Sequence, residues 1–116
     1  MGQEKDLIGR TFKFSVSVLK FIEQLPSHPS AKVVTYQLSK SATSIGANYE
    51  ESQASQSKDD FYYKIGICLR EARETNYWLR IIQEMKWVSQ SNNLDTIISE
   101  SNELVKIFGK IFSKRK

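Results

Sequence analysis

The sequence predicts an all-α protein, an antiparallel up-down-up-down four-helix bundle. Three observations carry this. Apolar residues recur at helical spacing in four segments. Both prolines, Pro26 and Pro29, fall in one short stretch, which leaves the rest of the chain open to long helices. Asn-Gly and Asp-Gly pairs, the strongest hairpin signals, are absent. At 116 residues the chain makes a single domain spanning 1–116. With 40% hydrophobic and 26% charged residues, it can bury a core without disulfides or a metal.

The first helix is expected over about 5–25. Leu7, Phe14, Val18, Phe21 and Leu25 form one apolar stripe, and Ile8, Phe12, Leu19 and Ile22 a neighbouring one. Together they make a face wide enough to pack against two partners. Leu25-Pro26-Ser27-His28-Pro29-Ser30 then ends it, because a proline disfavours helical backbone in the residue before it.

The second helix is expected over about 30–54. Val34, Leu38, Ser41, Ile45, Asn48 and Ser52 are spaced 4-3-4-3-4, a heptad rhythm. Ala42, Ser44 and Ala47 keep that region small, so a neighbouring backbone can approach closely. Ser41, Ser44 and Asn48 need hydrogen-bond partners there, with Glu71 and Asn76 as candidates, or a contact that fixes register or subunit arrangement.

The third helix is expected over about 58–88, with Ser57 as N-cap and Asp59 and Asp60 in a first turn whose dipole favours acids. Phe61, Ile65, Cys68, Leu69, Ala72, Tyr77, Leu79, Ile82 and Met85 supply its apolar positions. The fourth follows the turn Ser89-Gln-Ser-Asn-Asn, with Asn93 as N-cap, over about 94–113. Its apolar row is Leu94, Ile97, Ile98, Leu104, Val105, Phe108, Ile111 and Phe112. Gly46 and Gly66, isolated inside helices, are expected to be points of close packing, since glycine there costs about 1 kcal/mol against alanine.

Most catalytic chemistries lack their residues. One cysteine (Cys68) and one histidine (His28) cannot build a structural zinc site, and the Glu-x-x-His pairs of di-metal bundles are absent. Cys68 sits among apolar residues with no histidine to activate it. Glu71 and Glu74 share a helix face, where pairing with Arg70, Arg73 or Lys64 accounts for them. There is no Gly-rich phosphate loop. No catalytic residue, metal or cofactor is therefore expected. A lone cysteine, no apolar leader, Asp6 where N-myristoylation needs Ser or Thr, and no apolar run near ~20 residues point to the cytoplasm and away from membranes.

Charge is unevenly placed. The net charge is +4, yet Lys106, Lys110, Lys114, Arg115 and Lys116 fall within the last 13 residues with no acid among them. Lys106, Lys110 and Lys114 recur every four residues, and Arg10, Lys13 and Lys20 lie on one side of helix one. If the start of helix one meets the end of helix four, the two stripes merge into a surface suited to a phosphate backbone. A solvated, solubilising face is the alternative. Tyr62, Tyr63, Tyr77, Trp78 and Trp87 exceed what a small core hides. Thr75 to Trp78 span all sides of helix three, so a large ring should face outward as an interface anchor, with Trp78 the candidate.

Leu-Ser-Lys-Ser-Ala-Thr-Ser-Ile-Gly-Ala-Asn-Tyr-Glu (38–50), Ser-Lys-Asp-Asp-Phe (57–61) and Ile-Cys-Leu-Arg-Glu-Ala-Arg-Glu-Thr (67–75) resemble the 23S rRNA intervening-sequence proteins. The resemblance covers helices two and three closely and helices one and four in pattern. Where that family has Glu-Gly at the end of the first motif, this chain has Glu50-Glu51. The resemblance implies a four-helix bundle that assembles as a ring of five. It also implies kinship with accessory variability proteins of diversity-generating retroelements, which bind reverse transcriptase and nucleic acid through a basic surface. It brings no catalytic residues. Ser41, Ser44, Asn48, Glu50 and Glu71 match its motif positions and are expected in the fold or at subunit contacts. The expectation is thus a bacterial homo-oligomer, a pentamer by resemblance, that binds RNA or DNA. A scaffold binding only protein is the rival.

Overall fold

The computed structural model of the protein describes residues 6–89 and 93–116. Four α-helices follow one another: α1 (Leu7–Phe21), α2 (Pro29–Ser52), α3 (Lys58–Met85) and α4 (Leu94–Phe112). No strand occurs among the described residues. Each helix packs on its neighbours in sequence and α1 closes lightly onto α4, so the arrangement is the up-down-up-down bundle.

The helix ends follow local chemistry. α1 stops at Phe21 and tightens into a 3₁₀ turn over Ile22–Gln24, short of the expected 25. Leu25 is extended (ψ 149°) and so is His28 (ψ 164°), each as the following proline demands. Pro29 is the first residue of α2, where its missing N–H costs nothing, and the Nδ1 of His28 accepts from the backbone N–H of Ala31. Ser57 caps α3, its hydroxyl accepting from Asp60 N–H at 3.0 Å. α3 ends at Met85, not Val88, because Lys86 turns left-handed (φ 56°, ψ 42°). That turn folds Trp87 and Val88 back against the core, and the Trp87 ring meets His28 edge-on at 5.5 Å. Asn93 precedes α4 as expected, without a side-chain cap bond. The expected helix start at Lys5 and the middle of the Ser89–Asn93 turn lie outside the described residues.

The core runs the length of the bundle. Leu7, Phe14, Val18 and Phe21 of α1 meet Leu38 and Ile45 of α2, Ile65, Leu79 and Ile82 of α3, and Leu104 and Phe108 of α4. Of the second α1 stripe, Ile8, Phe12 and Leu19 remain 43%, 60% and 41% exposed, while Ile22 is half-buried against the core as Leu25 of the first stripe is; the face meets both α2 and, more lightly, α4. On α2, Tyr49 takes the inward place expected of Asn48, which is half-buried. On α3, Tyr77 and Met85 point outward, contrary to expectation.

Gly46 and Gly66 mark close approach, as expected. A Cβ on Gly46 would come within 3.1 Å of Thr11 Oγ1 and 3.4 Å of the Thr11 backbone, which sets the α1–α2 distance. One on Gly66 would lie 3.1 Å from the Phe112 ring, which does the same for α3–α4.

Candidate nucleic-acid interface

The C-terminal turns of α4 form the first part of the site. Ile107, Phe108 and Ile111 turn inward, and that leaves Lys106, Lys110 and Lys114 on the solvent side. Lys110 and Lys114 are exposed and form no ion pair among the described residues. Lys106 approaches Glu103 only loosely, at 3.9 Å. The guanidinium of Arg115 lies over the Phe112 ring at 3.9 Å and donates to the Phe112 carbonyl. Lys58, at the start of α3, reaches the Lys116 carbonyl at 3.2 Å. The tail is thereby joined to the beginning of α3.

Of the α1 cations, Arg10 is taken up by α4 itself. Arg10 donates from Nε to Glu100 Oε2 at 2.6 Å and from a terminal nitrogen to Glu100 Oε1 at 2.9 Å, a two-pronged ion pair. That hydrogen bond holds the guanidinium protonated even more firmly than usual. Lys13 and Ser17 lie beside Thr96 and Asp95, along the wall of a cavity of about 600 Å³. The helices are antiparallel, so Lys20 lies roughly 15 Å from Arg10 in one direction and Lys110 roughly 15 Å from Glu100 in the other. Some 30 Å thus separates Lys20 from Lys110, several screening lengths at physiological salt (about 8 Å each). Arg10 is neutralised by Glu100, and Lys13 and Lys106, nearer to that pair, are roughly 13 Å apart along the axis.

A third group of cations, which the sequence reading does not single out, lies on the outer side of α3. Tyr63, Arg70, Arg73, Tyr77 and Arg80 are all exposed and spaced 7-3-4-3, one side of a helix. The signal that could have found them is this heptad row opposite the core. It is masked because Tyr77 also suits an apolar position and the arginines also suit pairing with Glu71 and Glu74. Of those acids, Glu71 turns toward Lys40 of α2 and Glu74 toward Trp78 of its own helix. Trp78 Nε1 donates to Glu74 Oε2 at 3.1 Å, and Trp78 is half-buried, with its neighbour Tyr77 the outward ring.

The motif residues on α2 and α3 divide by burial. Ser41 is buried and accepts from Thr75 Oγ1 at 2.9 Å across the α2–α3 contact. Ser44 and Asn48 are half-buried and hydrogen bond within their own helix, Ser44 to the Lys40 carbonyl and Asn48 to the Ser44 carbonyl. These bonds take the place of the expected ones to Glu71 and Asn76; Asn76 instead ties α3 to Ser101 and Asn102 of α4. Glu71 is mostly covered and has only Arg70, 4.0 Å away, as a close counter-charge. Burial, with Glu74 adding to it, pushes its carboxyl above the ordinary range against the pull of Arg70 and Lys40. Glu50 is exposed; α2 continues past it through Glu51, which pairs with Lys64 at 2.9 Å.

The thiol of Cys68 is buried against the Ile45 carbonyl, and burial pushes it up to about 12, so no thiolate nucleophile is at hand. Among the described residues no group of three or more His, Cys, Asp or Glu is placed to hold a metal ion. No helix among them is long and apolar enough to cross a membrane.

The sequence pattern of the 23S rRNA-intervening sequence proteins matches residues 3–110. The fold is similar to the crystal structure of a protein of unknown function from the S23 ribosomal protein family of Bacteroides thetaiotaomicron VPI-5482. The two share 30% sequence identity and a TM-score of 0.81, over 90% of this chain and 96% of that one. No curated protein matches the chain.

Proposed function

Because this chain belongs to the 23S rRNA-intervening sequence protein family, we propose that it is a self-assembling, non-enzymatic helical bundle that binds nucleic acid through its basic surface. The observation that carries this is the α4 end. Lys110, Lys114, Arg115 and Lys116 stand together without a carboxylate partner among the described residues, and Lys58 and Lys106 flank them. Clustered free cations release counterions when they meet a phosphate backbone, and that release is the main source of sequence-independent affinity. Lys13 and Lys20 form a weaker second group, and Arg10 contributes least because Glu100 already neutralises it.

Self-assembly is supported by Ile8, Phe12 and Leu19, an exposed apolar row on α1 that none of the described residues covers, with Tyr36 of α2 64% exposed. Rows of this kind mark interfaces. Trp78, Ser44, Asn48, Glu50 and Glu71 are the further subunit-contact candidates on the α2–α3 side, and five copies is the number the family resemblance implies. The same apolar row favours the second reading, a scaffold for a protein partner.

The test is RNA and DNA binding across a salt series. The parent is compared with Lys110→Glu/Lys114→Glu and with a chain ending at Ser113. Ending there removes three cations and leaves the buried Ile111 and the packed Phe112 in place. Affinity that falls steeply with salt and drops in both variants supports the reading. Absence of binding by the parent at low salt overturns it and turns attention to a protein partner.

A further inference from the structure

The outer face between α3 and α4 carries a different combination of groups from the tail. Tyr63, Arg70, Arg73, Tyr77 and Arg80 run along α3 in one row. Across a shallow cavity of about 540 Å³, Arg73, Asn76 and Arg80 face Asn102, Val105 and Lys106 of α4. No acid occupies the row between Asp59 and Glu84. Arg73 has no partner among the described residues, and Arg70, its side chain 71% exposed, has only the distant Glu71. Arg80 is held in place: its Nε donates to Asn76 Oδ1 at 2.9 Å while its guanidinium lies 5.8 Å from the Tyr77 ring centre. Asn76 is itself anchored to Ser101 and Asn102. At the far end of the row, Tyr63 borders a second cavity of about 380 Å³ beside Lys58, Asp59, Phe112 and Arg115.

We propose that this α3–α4 face is a track for single-stranded nucleic acid, in which Tyr63 and Tyr77 stack on unpaired bases and Arg70, Arg73, Arg80 and Lys106 follow the phosphates. The proposal rests on the nucleic-acid reading above and names the form of nucleic acid. The cations alone suit any polyanion; the rings decide between forms. Tyr63 is 68% exposed and Tyr77 49%, a large outward aromatic area, with the Tyr77 ring braced by Arg80 and, edge-on at 5.1 Å, by Trp78. A duplex keeps the faces of its bases inside the stack, so outward rings gain nothing from it, whereas each unpaired base offers a face to stack on. The rings lie 14 residues apart, roughly 21 Å along the helix, with Arg70 and Arg73 between them. Charge and stacking therefore alternate along one line, the pattern of sequence-tolerant single-strand binding.

The test uses the full chain and three variants, Tyr63→Ala/Tyr77→Ala, Arg70→Gln/Arg73→Gln and Lys110→Glu/Lys114→Glu. Each is titrated against one labelled 20-nucleotide RNA, alone and annealed to its complement, with helix content and assembly mass measured alongside. The tyrosine pair is expected to lose about tenfold or more on the single strand and under about twofold on the duplex. The arginine pair, both exposed, is expected to keep the parent's helix content and to flatten the single-strand salt dependence by about 1.4 in log–log slope, roughly 0.7 for each phosphate no longer neutralised. If both face variants bind the single strand as the parent does while the lysine variant is impaired, the tail is the site and the track is wrong. Equal losses on single strand and duplex from the tyrosine pair overturn it too. A changed assembly mass in the tyrosine pair makes the face a contact between copies and overturns the track. A parent that binds neither form sinks both readings.

Discussion

Thr75 and Ser41 share a hydrogen bond at 2.9 Å between α3 and α2, and both hydroxyls are enclosed by the core. Ser41 also donates to the Leu38 carbonyl, so each hydroxyl depends on its neighbour's presence. Leaving a buried polar group without its partner costs more than removing both together. Thr75→Val is expected to destabilise by about 1 kcal/mol and Ser41→Ala by a similar amount. The double variant should cost clearly less than their sum. Denaturant unfolding of the four proteins measures the coupling; simple additivity would mean that the bond contributes nothing.

Gly46 and Gly66 should respond oppositely to alanine. Alanine offers about 1 kcal/mol of helix propensity at either site. At Gly46 the new methyl meets Thr11, a fully buried residue, at its backbone as well as its side chain, so relief requires shifting α1 itself. Gly46→Ala should therefore destabilise by roughly 1–2 kcal/mol, or lower Tm by about 5 °C. At Gly66 it meets the Phe112 ring, half-buried at the last residue of α4, which can swing aside. Gly66→Ala should be neutral or stabilising by up to about 1 kcal/mol.

Glu71 gives the stability a particular pH dependence. Its carboxyl titrates above the ordinary value in the fold because burial disfavours the charge, with Glu74 adding repulsion and Arg70 and Lys40 opposing it. The neutral acid thus suits the fold better than the carboxylate. Its favourable contribution is complete below the ordinary carboxylate pKa and is lost as pH rises through the raised one. Glu71→Gln is expected to be more stable than the parent at pH 7, by roughly 0.5 kcal/mol or less, and the difference should close by about pH 4, near the ordinary carboxylate value. Chemical denaturation at the two pH values checks this; a glutamine variant that is weaker at pH 7 means that Arg70 and Lys40 dominate.

Cys68 offers a built-in probe of opening. With its thiol pushed up to about 12 and fully buried in the core, it should resist alkylation at pH 8 in the native protein. Labelling should be at least about 100-fold slower than in denaturant, since only the thiolate of an exposed cysteine reacts. Mass spectrometry after timed quenching follows it. Fast native labelling would place Cys68 in a region that opens easily.

The bundle is legible in the sequence because its governing signal is periodic. The buried Leu7-Phe14-Val18-Phe21 stripe, the α4 row and the proline at the first turn of α2 each rest on spacing or local backbone rules, which need no knowledge of neighbours. The rest depends on tertiary information. A second apolar row on α1 reads the same whether covered or bare, so Ile8, Phe12 and Leu19 give no warning of their exposure. Asn48 and Tyr49 differ by only about 100° of helix rotation. The packing of Tyr49 against Phe108, 5.7 Å between ring centres, decides which turns inward. The left-handed turn at Lys86 carries no glycine to announce it. The division of the basic surface is hidden for the same reason: the run of lysines is visible in one dimension, but that Glu100 neutralises Arg10 is a fact about two helices.

The light seating of α1 against α4 has a kinetic meaning. The helix is held by Arg10–Glu100, by the Thr11–Gly46 contact and by Ser15, whose hydroxyl reaches the Ala42 carbonyl at 3.3 Å. α3 makes closer contact with α2 and with α4 than α1 makes with either of its neighbours. The N-terminal helix is therefore expected to exchange its amide protons first. A neighbouring copy laid across Ile8, Phe12 and Leu19 would clamp that helix shut. Its deuterium uptake would then slow as protein concentration rises, and one helix would report on assembly for the whole molecule.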